Sequence, residues 1–433
     1  HYTYNVMKKI ICIIMSVLAL SARAQNSNDT ILTLEQCKDM ALIHNSSIKS
    51  ASYSVEEASE LRKEAFTKYF PEISAGGIGV MANHDMLQYN VLDIIELGLI
   101  KHGIVGGIQA MQPIFMGGQI VNGNALAEIG EAVAKLQKAS TEREVVLTTE
   151  KYYWKLATLK FTRGTLLSAI NLLDTLENQV SIAVEAGIAM RNDLLKVQIQ
   201  RDGFSSDLVD LDNGIKLCRM VLSQYIGADF QKPIDITAEV PEKAPECPVE
   251  LIVNPSEALG QTIDYQLLNK NVKAKDLELR IERGKYMPKV AVGAGWYYHD
   301  MLGQSHNFGS LQLAIDIPIS GWWGGTYALR RKKAEQLNAN NELKDKSELL
   351  CINMQNKWDD VTAAHRKMEI ASETIEQSSD NLRLSRLYYE AGMATISDLL
   401  EAQMLNHQAI DRYNSSYGDF RCAVAEYLNA TGR

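Results

Sequence analysis

The segment EAGIAMRNDLLKVQ at residues 185–198 recurs as EAGMATISDLLEAQ at residues 390–403, with eight of the fourteen positions identical. Each copy reads as the end of one helix, a tight turn and the start of the next. Gly187 and Gly392 stand where a left-handed residue ends a helix without steric cost. Ala189 and Ala394 complete the turns, at 185–190 and 390–395. Asp193 and Asp398 then fall in the first turn of the following helix, where negative charge is favoured. Outward from this match the duplication continues. Tyr69-x-Pro71 is matched by Tyr286-x-Pro288, Ala41-Leu42 by Ala258-Leu259, Pro113 by Pro318, and Gly117-Gly118 by Gly324-Gly325. The chain is a two-fold internal repeat, and whatever one half folds into, the other is expected to fold into as well.

The nine prolines outline the unit. Pro71 and Pro288 open two short Gly-rich stretches, Pro113 and Pro318 close them, and five more crowd residues 233–255. Proline is excluded from helix interiors by its missing N–H and its ring. The proline-free stretches 119–232 and 319–433 are therefore free to be helical. Val361, Met368, Ile375, Leu382 and Tyr389 recur every seven residues, with Ala364, Ala371, Ser378 and Ser385 three residues after the first four, the seam of a left-handed supercoil. Leu126, Val133, Leu147, Trp154 and Phe161 show the same period in the first half. About 65 helical residues span about 100 Å, several times an ordinary domain helix.

Between the prolines the period changes to two. Leu311, Leu313, Ile315 and Ile317 alternate with Gln312, Ala314 and Asp316, the pattern of a half-buried strand. Ile73–Met81, Ile104–Ile114 and Val290–Tyr298 are its expected companions. Tyr69, Phe70, Phe115, Tyr286, Trp322 and Trp323 mark one end of these strands and Trp296, Tyr297 and Tyr298 the other, as aromatic belts mark the two interfaces of a membrane barrel. A soluble hairpin with an aromatic core is the competing reading. Four strands cannot close on themselves, and open edges are not tolerated in lipid. Two copies would make eight strands around a filled interior. Three would make twelve and leave a lumen.

The expected organisation is therefore a first repeat at 25–230 with a hairpin at 71–114, a Pro-rich linker at 231–255, and a second repeat at 256–433 with a hairpin at 288–319. Met7-Lys8-Lys9, the apolar run Ile10–Leu20 and Ala22-Arg23-Ala24 form a secretory signal at 1–24, with the residues before Met7 as an upstream extension. The formal charge of −9 grows more negative once Lys8, Lys9 and Arg23 leave with it. That acidity argues against nucleic acid as a partner. Cys37, Cys218, Cys247, Cys351 and Cys422 lack the paired spacing of a disulfide framework or a metal site. No nucleotide-binding loop, nucleophile elbow or paired CxxC occurs, and the histidines are scattered. No catalytic residue, metal site or cofactor is expected.

The Tyr-x-Pro strand openings, the Pro-Ile-x-x-Gly-Gly exit at 113–118 and the doubled Gly-x-Ala-x3-Asp-Leu-Leu-x2-Gln together resemble the TolC family of outer-membrane efflux channels, from Leu34 to Leu428. The resemblance implies a mainly α fold with membrane β-strands. Three protomers would close a 12-stranded β-barrel continuous with an α-barrel tunnel of long antiparallel coiled-coil helices in the periplasm. It implies adaptor docking at Gly187, Ala189, Gly392 and Ala394, and an acidic periplasmic gate at Asp398 and Glu401. The linker would form the equatorial region. Implied partners are a periplasmic adaptor of the membrane-fusion type, an inner-membrane pump of RND, ABC or MFS type, and outer-membrane lipid. Ala394 stands where some members carry a basic residue in the turn. A non-conducting periplasmic coiled-coil protein and a heavy-metal efflux channel are the alternatives.

Overall fold

The computed structural model describes residues 30–84, 86–91, 95–99, 101–232, 234–300, 305–319 and 321–433, so the expected signal at 1–24 and Pro233 lie outside the described residues. The chain opens with a short strand, β1 (Thr30–Leu32), and two helices, α1 (Leu34–His44) and α2 (Ser46–Thr67). A single helix to about residue 68 is expected from sequence; the break falls at Asn45. Its side chain accepts from the Ser47 N–H at 2.8 Å and donates to the Tyr225 carbonyl at 2.9 Å. A buried amide satisfied on both sides in this way stops one helix and starts the next.

Strand β2 (Glu72–Met81) follows Pro71 directly, and β5 (His102–Met116) pairs with it antiparallel. Between them β3 (Leu87–Val91) and β4 (Ile95–Leu99) form a separate two-stranded sheet that the sequence pattern does not reveal. Helix α3 (Gln119–Glu185) has 67 residues, about 100 Å at 1.5 Å per residue. Helix α4 (Arg191–Tyr225) returns along it. After α4 come β6 (Ile234–Ile236), which pairs in parallel with β1, and short helical turns including α5 (Pro255–Ala258). Then follow α6 (Ile263–Gly284), β7 (Lys289–His299), β8 (His306–Asp316), α7 (Trp322–Glu390, 69 residues) and α8 (Ile396–Ala430).

The main sheet has the order β2-β5-β7-β8, antiparallel throughout, with β2 and β8 at its open edges. Pro71 and Pro288 stand immediately before β2 and β7, and Pro318 stands two residues beyond β8. Pro113, expected to close its strand, instead lies inside β5. The register against β7 shifts between Pro113 and Phe115, a bulge that accommodates a residue with no N–H to give the ladder.

The helices pack around two apolar clusters. The first, midway along the long helices, gathers Trp154, Leu156, Leu222, Ile226, Val361, Met368, Tyr417 and Tyr427, and the strands β1 and β6 cover it through Leu32, Ile234 and Ile236. The second lies toward the turns and joins Leu173, Leu176 and Val180 of α3 with Val197 of α4 and Ile396 and Leu399 of α8. Val361 and Met368 of the heptad series are fully buried, and Ile375 packs on the first cluster. Among the described residues Cys37, Cys218, Cys247, Cys351 and Cys422 carry free thiols; burial pushes Cys37 and Cys422 up to about 11, which keeps them protonated at neutral pH. Among the described residues no helix is long and apolar enough to cross a membrane.

Candidate functional site

The sheet has two chemically different faces. Directly opposed residues share a face, and successive residues alternate. Ile108 opposes Trp296, Ala110 opposes Ala294, Val292 opposes Leu313 and Ala294 opposes Leu311. These positions, with Ile73 opposite Ala110 and Ile315 opposite Val290, form one continuous apolar face. It is uncovered within the chain: Leu311 is 90% exposed, Ile73 71% and Trp296 64%.

The opposite face carries an internally bonded polar network, with Ile78, Val80, Val105 and Met111 on the same side of β2 and β5. Gln109 donates to Ser74 at 3.3 Å and accepts from Tyr297 at 3.1 Å. Gln312 donates to the Tyr297 hydroxyl at 3.1 Å and to Ser310 at 3.2 Å. Lys289 pairs with Asp316 at 3.5 Å, and Tyr297 stacks on Phe308. The Tyr297 ring lies flat across Gly107 and Gly295, where a Cβ would collide with it at 2.6 Å. Glycine at these positions makes room for the ring. A four-stranded piece with one apolar face, a hydrogen-bonded polar network on the other and two open edges is suited to lipid outside and water inside.

At the other end of the long helices the two turns lie side by side. Gly187 takes φ +74° and Gly392 φ +72°. In the first turn the Ile188 N–H donates to the Ala183 carbonyl at 2.8 Å; in the second the Met393 N–H donates to the Tyr388 carbonyl at 2.8 Å. These bonds satisfy the orphan carbonyls of the long helices. Ala189 and Ala394 donate to the same carbonyls, each at 3.2 Å.

The helices that leave the turns begin differently. Met190 caps α4 without a side-chain bond, whereas Thr395 caps α8 in a capping box with Asp398. Asp398 accepts from the Thr395 N–H and hydroxyl, each at 2.8 Å, and these bonds hold its carboxyl below the usual range. Glu401 is exposed one turn further along the same helix. Lys196 lies 3.5 Å from Asp193 and donates to Ser397 at 3.0 Å, tying α4 to α8. Tyr389 is pushed up by burial and by the nearby Asp193 charge, a second link between the turns. Around them an apolar rim is open to solvent: Ile182, Ile188, Met190, Ile199 and Met393 are each 68–83% exposed.

The structure therefore places Gly187, Ala189, Gly392, Ala394, Asp398 and Glu401 at one end and the proline-bounded strands at the other. The residues that sequence reasoning missed are Gln109, Tyr297 and Gln312 as a bonded ladder, Lys196 as a bridge, and Thr395 as the partner of Asp398. Thr395 carries a readable signal, since Thr-x-x-Asp before an apolar run is a capping-box pattern. Among the described residues no group of three or more His, Cys, Asp or Glu is placed to hold a metal ion.

Comparison with known proteins bears on the fold. No family model and no curated protein matches the chain. Solved structures do. The outer-membrane channel OprN superposes with a TM-score of 0.78 at 14% identity over 92% of this chain and 89% of that one. The outer-membrane protein VceC from Vibrio cholerae gives 0.76 at 13% identity, over 92% and 96%. The open state of the MtrE outer-membrane channel from Neisseria gonorrhoeae gives 0.75 at 16% identity, over 92% and 88%. The chain has the fold of outer-membrane channels, and at the level of fold the resemblance to the TolC family holds.

Proposed function

We propose that this chain is one protomer of a trimeric outer-membrane efflux channel and not an enzyme. The observation that carries the reading is the four-stranded sheet with one apolar face, a bonded polar network on the other face and two open edges, continuous with helices about 100 Å long. Edges β2 and β8 need partners in lipid, and copies of the same chain supply them. Three copies give twelve strands with the Gln109, Tyr297 and Gln312 face lining the lumen. The two halves, related by the internal repeat, would place six turns of two alternating kinds at the periplasmic end. The expected signal at 1–24 provides export.

In this reading the helical end is the gate, with Asp398 and Glu401 as its acidic ring. The apolar rim at Gly187, Ala189, Gly392 and Ala394 receives a periplasmic adaptor. Adaptor contact favours the open arrangement by binding it more tightly than the closed one. An inner-membrane pump supplies energy, because no energy-coupling motif is present in the chain. Purified trimers in planar bilayers test this. Single-channel currents are expected, and replacing Asp398 and Glu401 together by Ala should raise conductance and relieve block by multivalent cations. A water-soluble monomer without currents would favour the structural coiled-coil alternative. Unchanged conductance and block in the double variant would remove the acidic ring alone.

A further inference from the structure

A cavity of about 750 Å³ opens between α3, α4 and the residues leading into β6, lined on α3 by Lys160, Arg163 and Gly164. Five cationic side chains line it, Lys160, Arg163, Lys216, Arg219 and Lys232, against two carboxylates, Asp212 and Asp235. This local excess is opposite in sign to the chain's formal charge of −9. Such a reversal concentrates anions at one place on an otherwise repelling surface.

The internal pairing leaves positive charge unspent. Asp235 is bound by Lys160 at 2.6 Å and Arg219 at 3.1 Å, and it accepts from the Ile236 N–H at 2.8 Å. Burial alone would raise its pKa; Lys160, that N–H and Arg219 outweigh burial and keep it ionised. Arg163 pairs with Asp212 at 2.6 Å, and Lys232 reaches Asp229 only at 3.8 Å. Lys216 has no ion pair among the described residues, and the Arg219 Nε is buried without a hydrogen-bond partner. Lys160 and Arg219 share the single charge of Asp235, which leaves a positive excess beside Lys216. Ile215, Met220 and the half-exposed Phe230 add an apolar wall beside the cations.

We propose that this cavity binds a small organic anion, with an anionic head against Lys216 and Arg219 and an apolar body against Ile215, Met220 and Phe230. The site stands apart from both the sheet and the turns, and it does not rest on the channel reading. Calorimetry on the detergent-solubilised full chain, with 1-naphthyl phosphate as the probe, tests it whether or not the protein conducts. Saturable binding is expected, weakening as salt rises. Lys216→Glu, at an exposed side chain with no ion pair to break among the described residues, should weaken it about tenfold, the effect of turning one charge-assisted attraction into a repulsion. Asp212→Asn, which releases Arg163, should tighten it. Inorganic phosphate alone should bind more weakly than the naphthyl ester, and uncharged 1-naphthol should not bind. Equal binding of 1-naphthol, or an affinity that neither substitution moves, would overturn the proposal. So would the absence of binding at low salt.

Discussion

The turn at 185–190 and the turn at 390–395 use one backbone device and two different side-chain chemistries. Both place glycine at nearly the same positive φ, and a Cβ at either would meet nothing within 4 Å. The glycine is therefore required by backbone conformation and not by crowding. Beyond it the copies part. The first helix start is uncapped by a side chain, and Lys196 neutralises Asp193 and reaches across to Ser397. The second is locked by Thr395 and Asp398 and presents Glu401 where the first presents Lys196. Both turns keep the residue that the backbone needs, and the side chains beyond it differ. In the proposed channel, the first turn would hold the two helices together and the second would supply the charge.

The comparison can be broken most strongly at the shared element. Gly187→Val and Gly392→Val should each destabilise by about 1–2 kcal/mol, the cost of an L-residue held in the left-handed region. The two effects should match within error in thermal unfolding of the purified protein, because the two φ values match. Unequal effects would show that side-chain packing, and not φ, constrains one of the turns.

A smaller effect separates the copies. Thr395→Ala removes a cap and should cost about 1 kcal/mol, whereas Met190→Ala should cost little, since Met190 makes no capping bond. Hydrogen exchange of the first-turn amides of α8 and α4 reads the difference directly. The same asymmetry should show in pH. Asp398 has a folded pKa below its unfolded value, so its stabilisation is fully present above the ordinary carboxylate range, about 4, and is lost as pH falls through the folded value. Exchange at the start of α8 should accelerate over that acid range in the parent chain and not in Asp398→Asn. The smallest effect is Lys196→Ala. A pair this exposed contributes no more than about 1 kcal/mol, so unfolding should hardly shift. Yet exchange in the first turn of α4 should rise once the tie to Ser397 is gone.

Much of this molecule is legible in residues that are near each other in the chain. The heptads around Val361 and Met368 mark the long helices because helical contacts are local. Leu311, Leu313 and Ile315 mark a strand because alternation is local too. What stays hidden in the sequence depends on distant partners. The break at Asn45 is completed by Tyr225, 180 residues away. The parallel pair β1 and β6 joins Thr30 to Ile234. The polar ladder from Ser74 through Gln109 and Tyr297 to Gln312 crosses three strand pairings, and the glycines beneath Tyr297 blur the alternation that would otherwise show it. Pro113 reads as a strand end because a missing N–H usually ends pairing; the bulge that absorbs it is a property of the partner strand β7 as much as of β5.

The long helices, the two matched turns with their obligatory glycines, and the strands that open at Pro71 and Pro288 are settled by the amino-acid order alone. They follow from backbone sterics and from periods of two and seven. The tertiary structure decided the rest, including which sheet face is apolar, that Lys196 belongs to α8 as much as to α4, and that Lys160, Lys216, Arg219 and Lys232 surround one cavity. Register, cross-helix ties and local charge excess are sums over residues far apart in the chain, and they acquire values only when folding brings those residues within a few ångströms.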